Sequence, residues 1–215
     1  MKKIVSIISI FAIILSATQF VLADYSDDTT ITDGQFAYKK GTNNILAYVG
    51  TTGICEIPEN TTLKGLTPSW AKDAAPITKL IINDNVDINM IISGELVNLN
   101  KLKEVEIKEG VTEIPYQFLK GCNNLEKITL PSTIEIIDDE AFSECSKLST
   151  LDLNDGLQSI GRYAFSETTL SGNLNIPDTV THMDVTAFTD CGNLDKVHMS
   201  NNIECEKDKN YCYWF

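Results

Sequence analysis

A repeat with a period of 23 residues constrains this chain more than any other feature of its sequence. Apolar residues recur at this spacing in several columns, and one column consists of Val105, Ile128, Leu151, Leu174 and Val197. Self-similarity at a fixed period of about 20–50 residues is typical of solenoids, in which each unit stacks on the next. The repeat therefore predicts a stack of similar units.

Each unit contains a strand signal followed by a second apolar pattern. The pattern Leu-x-x-Ile-x-Ile alternates with a period of two, which is typical of a short β-strand with one buried side. The pattern Ala-Phe-x-x-Cys-x-x-Leu brings apolar residues round at intervals of three to four, which predicts one short turn of helix. One strand and one helical turn cannot bury their apolar sides alone, so we expect neighbouring units to share a continuous core.

Two segments carry the repeat most completely: LEKITLPSTIEIIDDEAFSECSKL and GNLNIPDTVTHMDVTAFTDCGNL. They resemble the BspA-like leucine-rich repeat family, and the resemblance covers residues 77–205. It implies an α/β solenoid of right-handed path, with a parallel β-sheet on one face and short helical turns on the opposite face. It also implies a secreted or cell-surface protein that binds host matrix proteins or other cells.

The sequence divides into four segments. Residues 1–23 are predicted to be a signal peptide, and residues 24–76 an N-terminal segment that looks like a degenerate capping repeat. Leucine-rich repeats fill residues 77–205, and residues 206–215 form a C-terminal cap. Within the N-terminal segment, Ile54-Cys-Glu-Ile57 stands where a strand of the opening unit is expected.

The array departs from its own pattern at three places. Phe118-Leu119 replaces the Ala-Phe pair of the later units. Leu170 is expected to shift by one position and fill the apolar place that falls on Ser171. Residues 89–101 interrupt the period before the regular array begins.

A basic start, an apolar run and a cleavage site identify the first segment as a targeting sequence. Lys2 and Lys3 precede the apolar run, and Val21 and Ala23 are the small residues before the expected cleavage at Asp24. The alternative is an uncleaved anchor, because the apolar stretch approaches ~20 residues. Cleavage predicts a protein that is secreted or held at the cell surface, with no membrane span after the signal is removed.

Charge excludes two classes of partner. Without Lys2 and Lys3 the chain would keep 15 basic and 30 acidic side chains, which is a formal charge of −15. A surface this acidic repels nucleic acid and anionic lipid. We therefore expect a protein partner and no nucleic acid.

The cysteines follow the repeat. Cys122, Cys145 and Cys191 share one inward column, which predicts small, buried, unreactive side chains, with a Cys122–Cys145 bridge as the alternative. A disulfide between Cys205 and Cys212, beyond the last full repeat, would close a loop over the open end of the stack. The spacing contains no CxxC pair and no nearby histidine, so we expect no metal site.

Outward positions of the predicted strands are the candidate partner-binding site. Neighbouring strands lie ~4.8 Å apart, so equivalent positions form ladders along the sheet. The first ladder consists of Glu104, Lys127, Thr150, Asn173 and Lys196. The second consists of Glu106, Thr129, Asp152, Asn175 and His198. These polar positions vary between units while the inward positions do not, which is typical of a recognition surface and equally of any solvated sheet face.

An enzyme is the remote alternative. Glu106 and Asp152 lie two units apart, roughly 10 Å by strand spacing, which is just beyond the range for an inverting glycosidase. His182 and His198 lie on different units, and no recognisable motif places a nucleophile beside either. We expect no catalytic residues and no cofactor. A structural or decoy role, in which the solenoid contacts proteins of its own cell, is the nearer alternative to adhesion.

Overall fold

The computed structural model describes residues 30–32, 35–39, 41–48, 50, 52–63, 77–89, 96 and 99–203. These residues form strands and turns, and none of them lies in a helix. Most of the strands pair in parallel with the equivalent strand of the next unit. The described part of the chain is a β-solenoid with a repeat of about 23 residues. The right-handed path stays a prediction.

Fourteen strands make four sheets. The N-terminal sheet contains β1 (Thr30–Thr32), β2 (Phe36–Lys39), β3 (Asn44–Tyr48) and β5 (Thr62–Leu63). The first parallel sheet contains β4 (Ile54–Ile57), β6 (Lys79–Ile82), β7 (Glu104–Ile107) and β9 (Lys127–Thr129). The second parallel sheet contains β8 (Glu113–Ile114), β10 (Ile136–Ile137), β11 (Ser159–Ile160) and β13 (His182–Met183). A two-stranded parallel sheet contains β12 (Ser171–Asn175) and β14 (Asn193–His198).

The first parallel sheet carries the predicted alternation of buried and outward residues. Cys55, Leu80, Val105 and Ile128 pair in register across its four strands, and all four are buried. The residues on either side of each point outward. The segment from Ile54 to Ile57 is therefore a strand, as the sequence predicts.

A second parallel sheet was not expected. Ile114, Ile137, Ile160 and Met183 occupy equivalent positions in four strands of two residues each, and they pair in register. The first three are buried, and Met183 packs against the core from a partly buried position. The fifth apolar column of the repeat is thus the inward row of this sheet.

The predicted helical turns are wrong. In place of helix, each Ala-Phe segment is a chain of tight turns that contains left-handed residues, which right-handed helix excludes for L-residues. One left-handed position recurs at Gln117 (φ 54°), Glu140 (φ 55°) and Tyr163 (φ 53°). A second recurs at Gly121 (φ 71°), Glu144 (φ 63°), Glu167 (φ 56°) and Asp190 (φ 60°). The apolar spacing suited helix, but these backbone angles break it twice in every unit.

Hydrogen bonding in the turns explains why this geometry is stable. Phe142, Glu140 and Glu144 donate their backbone N–H groups to carbonyls of the next unit, at 2.7–2.8 Å. The residues between them, Ala141 and Ser143, donate within the turn to the carbonyl three residues earlier. Because alternate groups bond across units, the turn side is itself a parallel ladder, and its backbone groups are satisfied without a helix.

Phenylalanines fill the interior behind the turns. Phe142, Phe165 and Phe188 stack with ring centroids 5.3 and 5.2 Å apart, and the planes are nearly parallel. Phe118 lies edge-on to Phe142, at 6.5 Å and 90°, because its unit carries Phe-Leu in place of Ala-Phe. Burial of each ring stabilises the stack by about 1.5–3 kcal/mol.

The expected shift at Leu170 is confirmed. Leu170 is buried, whereas Ser171 is exposed. The spacing from Leu148 is therefore 22 residues, and the pairing of β12 with β14 restores the register through a bulge between Gly172 and Asn173.

The N-terminal sheet joins the solenoid at its upstream end. Strands β1, β2 and β3 form an antiparallel meander, and β3 pairs in parallel with β5. Thr62 of β5 forms a bridge to Asp87, and Phe36, Ile45 and Tyr48 belong to the common core. The domain limits drawn from the sequence stay a prediction. The signal segment, residues 206–215 and the Cys205–Cys212 bridge lie outside the described residues.

The described cysteines are buried thiols. Cys122, Cys145 and Cys191 stack in the inward column as predicted, and no disulfide joins Cys122 to Cys145. The Cys145 thiol donates to the Leu119 carbonyl of the preceding unit at 3.3 Å. Burial raises the pKa of the Cys55, Cys145 and Cys191 thiols, so these side chains are poor nucleophiles.

Candidate functional site

The predicted ladders begin in register on the first parallel sheet. Glu104 of β7 pairs with Lys127 of β9, and Glu106 pairs with Thr129. All four side chains point to the outer side of the sheet, away from the core row of Val105 and its equivalents. We use the name strand face for the ten predicted residues and the outward positions that continue them upstream.

Two upstream strands extend this strand face, and the sequence reasoning missed their outward residues. Lys79 and Ile81 of β6 pair with Glu104 and Glu106, and Ile54 and Glu56 of β4 pair with Lys79 and Ile81 in turn. The spacing between these strands is 25 residues, so a search with a period of 23 does not reach them. The alternation of apolar residues in the two strands is the signal that would have found them.

The downstream end of the ladders is also in register. Asn173 pairs with Lys196, and Asn175 pairs with His198, across β12 and β14. All four residues are exposed. The sheet they belong to is separate from the first parallel sheet.

The middle of the strand face lacks a strand. Thr150 and Asp152 are exposed where the ladders place them, but residues 149–153 adopt no regular structure. Among the described residues, none accepts a backbone hydrogen bond from residues 150–153. Leu151 and Leu153 pack on the core from partly buried positions. The ladders are therefore continuous in position and interrupted in hydrogen bonding.

Glu104 and Glu106 are engaged within the protein. The Lys79 ammonium lies 3.1 Å from a carboxylate oxygen of Glu104 and 3.5 Å from one of Glu106. Lys108 also forms an ion pair with Glu106. The hydrogen bond from Lys108 lowers the pKa of the Glu106 carboxyl, and the hydrogen bond to Glu104 raises the pKa of Lys79. Asn83 donates to Glu56 at 3.1 Å beside this group.

The other eight predicted residues differ from these two glutamates. Within the described part of the chain, their side chains form no hydrogen bond or ion pair. They are Lys127, Thr129, Thr150, Asp152, Asn173, Asn175, Lys196 and His198. A partner can bind these groups without first breaking an intramolecular contact, so they are the available part of the strand face. We call these eight residues the open strip.

Family comparison agrees with this architecture. The sequence model of the BspA type leucine rich repeat region matches residues 69–195, in six copies. The chain belongs to this BspA-type family. Leucine-rich repeat proteins are generally non-catalytic scaffolds that bind other proteins. No curated protein matches the chain.

Solved structures of bacterial leucine-rich repeat proteins are similar to this BspA-type protein. A leucine-rich repeat protein from Bacteroides ovatus has a TM-score of 0.54 and 22% identity over 84% of this chain and 42% of its own. One from Eubacterium ventriosum has a TM-score of 0.55 and 21% identity over 85% and 53%. The T. pallidum leucine rich repeat protein has a TM-score of 0.53 and 22% identity over 78% and 70%. These likenesses concern the fold, and the chain spans less than half of the B. ovatus protein.

The BspA-type scaffold places its titratable residues apart. His198 lies on the strand face, whereas His182 lies on the second parallel sheet, where its Nδ1 is 2.8 Å from the Thr181 hydroxyl. Glu106, one half of the carboxylate pair considered for glycan cleavage, is held ionised by Lys79 and Lys108. A carboxyl held in this state is unsuited to act as a general acid.

Metal-binding and membrane-spanning features were also sought. In the described ranges, no group of three or more His, Cys, Asp or Glu side chains is arranged to hold a metal ion. The same ranges contain no helix long and apolar enough to cross a membrane.

Proposed function

We propose that this BspA-type protein binds another protein through the open strip of the strand face. The observation that carries this proposal is the contrast in side-chain engagement. Eight of the ten ladder residues have no partner within the described protein, whereas Glu104 and Glu106 are held by lysines. Glu104 and Glu106 then mark the upstream border of the site.

Shape supports a protein as the ligand. Five successive units at ~4.8 Å spacing give the ladders a length of roughly 19 Å. The open strip offers amide, hydroxyl, carboxylate and amino groups on a backbone that is hydrogen-bonded at both ends. Such a surface suits a partner that contacts many side chains at once, as leucine-rich repeat scaffolds do.

Location narrows the partner. The targeting segment predicted at residues 1–23 and the BspA-type family both point to export. We infer that the partner is an extracellular protein, either of a host matrix or of a cell surface, and that the role is adhesion. Binding to a protein of the same cell is the competing outcome.

The test is a binding measurement with matched variants. Purified residues 24–215 would be passed over immobilised matrix proteins and over intact cells, and saturable binding measured. The test variant replaces Thr129, Asp152, Asn175 and His198 with alanine. The control variant replaces Thr112, Glu135 and Gln158 with alanine, because these side chains are exposed beside the second parallel sheet and make no contact in the described structure.

We expect binding that is lost in the strand-face variant and kept in the control variant, with both variants folded. Binding kept in both variants would place the site elsewhere. If neither matrix proteins nor host cells bind, while an extract surface of the source cell does, the role is structural and the adhesion proposal fails.

A further inference from the structure

Large apolar side chains are exposed mainly on the side of the second parallel sheet. Tyr116, Tyr163 and Val185 in the turns are 44%, 42% and 46% exposed, and Ile136 on β10 is 38% exposed. Ile54 on β4 is the one other large apolar side chain of comparable exposure among the described residues. The open strip contains no aromatic residue and no apolar residue. The two sides of the solenoid thus differ in what they offer a partner.

These side chains lie close together because the units repeat. Tyr116, Asp139, Arg162 and Val185 occupy the same position in four consecutive units, so they form one row of roughly 14 Å at the usual strand spacing. Tyr163 directly follows Arg162 in the chain. We call these five residues, together with Ile136, the turn corner. Tyrosine and arginine are enriched at the centres of protein interfaces.

The backbone holds the turn corner rigidly. The Arg162 N–H donates to the Asp139 carboxylate at 2.6 Å, and the Arg162 guanidinium pairs with the same carboxylate at 3.4 Å. The Tyr163 N–H donates to the Thr186 hydroxyl at 3.3 Å. A Cβ added at Gly161 would lie 2.5 Å from the Asp139 nitrogen, so adjacent units are in close contact here. The exposed rings therefore project from a fixed frame.

Charge is distributed unequally between the two sides. The segments 112–122, 135–145, 158–168 and 181–191 carry nine acidic and two basic side chains. The strand segments 102–108, 125–131, 148–154, 171–177 and 194–200 carry five acidic and four basic side chains. Most of the excess negative charge of the repeats therefore surrounds the turn corner.

Part of this negative charge is available to a partner. Glu140 is paired with Lys120, and the carboxylates of Asp138 and Asp184 accept hydrogen bonds from their own turns. Four other carboxylates around the turn corner have no side-chain contact in the described structure. They are Glu113, Glu135, Glu167 and Asp190. An apolar centre surrounded by unpaired carboxylates is complementary to apolar residues flanked by lysine or arginine.

We propose that the turn corner is a second docking surface, separate from the open strip, and that it binds a basic polypeptide segment carrying apolar residues. The apolar side chains of the segment pack on Tyr116, Tyr163 and Val185. Its lysine or arginine side chains lie against the four unpaired carboxylates. Charge accelerates the encounter, and apolar contact supplies the specificity.

The test uses a labelled synthetic peptide of lysine, leucine and serine, and a comparison peptide with glutamate in place of lysine. The first variant is Tyr116→Ala, Tyr163→Ala, Val185→Ser. The second variant is Glu113→Gln, Glu135→Gln, Glu167→Gln, Asp190→Asn, in which asparagine tolerates the left-handed backbone of its position. The strand-face variant, Thr129, Asp152, Asn175 and His198 changed to alanine, is the control. All substituted side chains lie at the surface, so folding is checked by the unfolding transition of each protein.

We expect saturable binding of the lysine peptide and none of the glutamate peptide. Each turn-corner variant should weaken binding by about tenfold or more, and the second variant should also weaken the dependence on salt. The control variant should bind as the unaltered protein does. Full affinity in the first variant would reduce the attraction to net charge alone and overturn the proposal. Absence of saturable binding to the lysine peptide would overturn it as well, and neither result would bear on the open strip.

Discussion

The two sides of the solenoid repeat with the same period but differ in hydrogen bonding. On the turn side, backbone bonds connect every unit from Gln117 to Thr189 without a break. On the strand side, the parallel ladder stops after β9 (Lys127–Thr129) and resumes at β12 (Ser171–Asn175). A periodic apolar pattern therefore predicts stacking on both sides, but it does not predict where the backbone ladder is continuous.

The shift at Leu170 gives a physical reason for the difference. Phe142, Phe165 and Phe188 keep a spacing of 23 residues through the turns. On the strand side, the spacing from Leu148 to Leu170 shortens to 22, and the pairing of β12 with β14 takes up the extra residue in a bulge. The segment 149–153 lies between a strand in the regular register and a strand in the shifted one. It keeps its packing and loses its ladder bonds.

Loss of a ring from the turn side should have the largest effect on stability. Phe165 is fully buried between Phe142 and Phe188, so Phe165→Ala leaves a cavity that rigid neighbouring units cannot close. We expect the free energy of unfolding to fall by about 3–5 kcal/mol. Urea denaturation followed by circular dichroism measures it.

Leu151→Ala is the matched change on the strand side. Leu151 is only partly buried and lies in the segment without ladder bonds, so we expect a loss of about 1 kcal/mol. Equal losses for the two variants would mean that the two sides contribute equally, and the contrast in stability would then be wrong.

Backbone amide exchange should show the contrast directly. The Phe142 and Phe165 N–H groups each bond to the next unit at 2.8 Å, whereas residues 150–153 bond to no described carbonyl. We expect the amides of residues 150–153 to exchange faster, by a factor on the order of a hundred. Hydrogen exchange resolved by NMR measures it. Equal protection in the two segments would show that the strand-side ladder closes in solution.

The repeat made the inward half of this fold predictable from the sequence. Columns such as Val105, Ile128 and Phe142 are buried because a unit cannot cover its apolar side alone, and periodicity reports burial directly. The same columns also indicated the shift at Leu170. A helix was predicted for the turns because burial at intervals of three to four fits helix, and it fits a chain of left-handed turns equally well. The backbone angles at Glu140 and Glu144 distinguish the two, and these glutamates carry no sequence signal for φ > 0.

The candidate site was predictable in position and not in engagement. Register followed from the period, so Glu106 and Thr129 fell side by side as expected. Whether a side chain is available depends on its neighbours, and Lys79 lies 25 residues before Glu104, outside the period of 23. Only the structure shows that Lys79 and Lys108 hold Glu106 while Thr129 makes no side-chain contact among the described residues.

The ion pairs at the upstream border of the strand face should have the smallest effect. Glu106→Gln removes the carboxylate that Lys79 and Lys108 share, and these side chains are about a quarter to two-fifths exposed. Solvent screens such pairs, so we expect a loss of about 0.5 kcal/mol at neutral pH. Lys108, and then Lys79, lower the pKa of Glu106 in the folded protein. The stabilisation is therefore complete above the pKa of an unfolded glutamate and disappears as the pH falls through the lower pKa of the folded state. Urea titrations of both proteins between neutral and acid pH measure the difference, with the exposed Glu126→Gln as control. A difference that persists at acid pH, or an equal one in the control, would assign the effect to packing or to net charge.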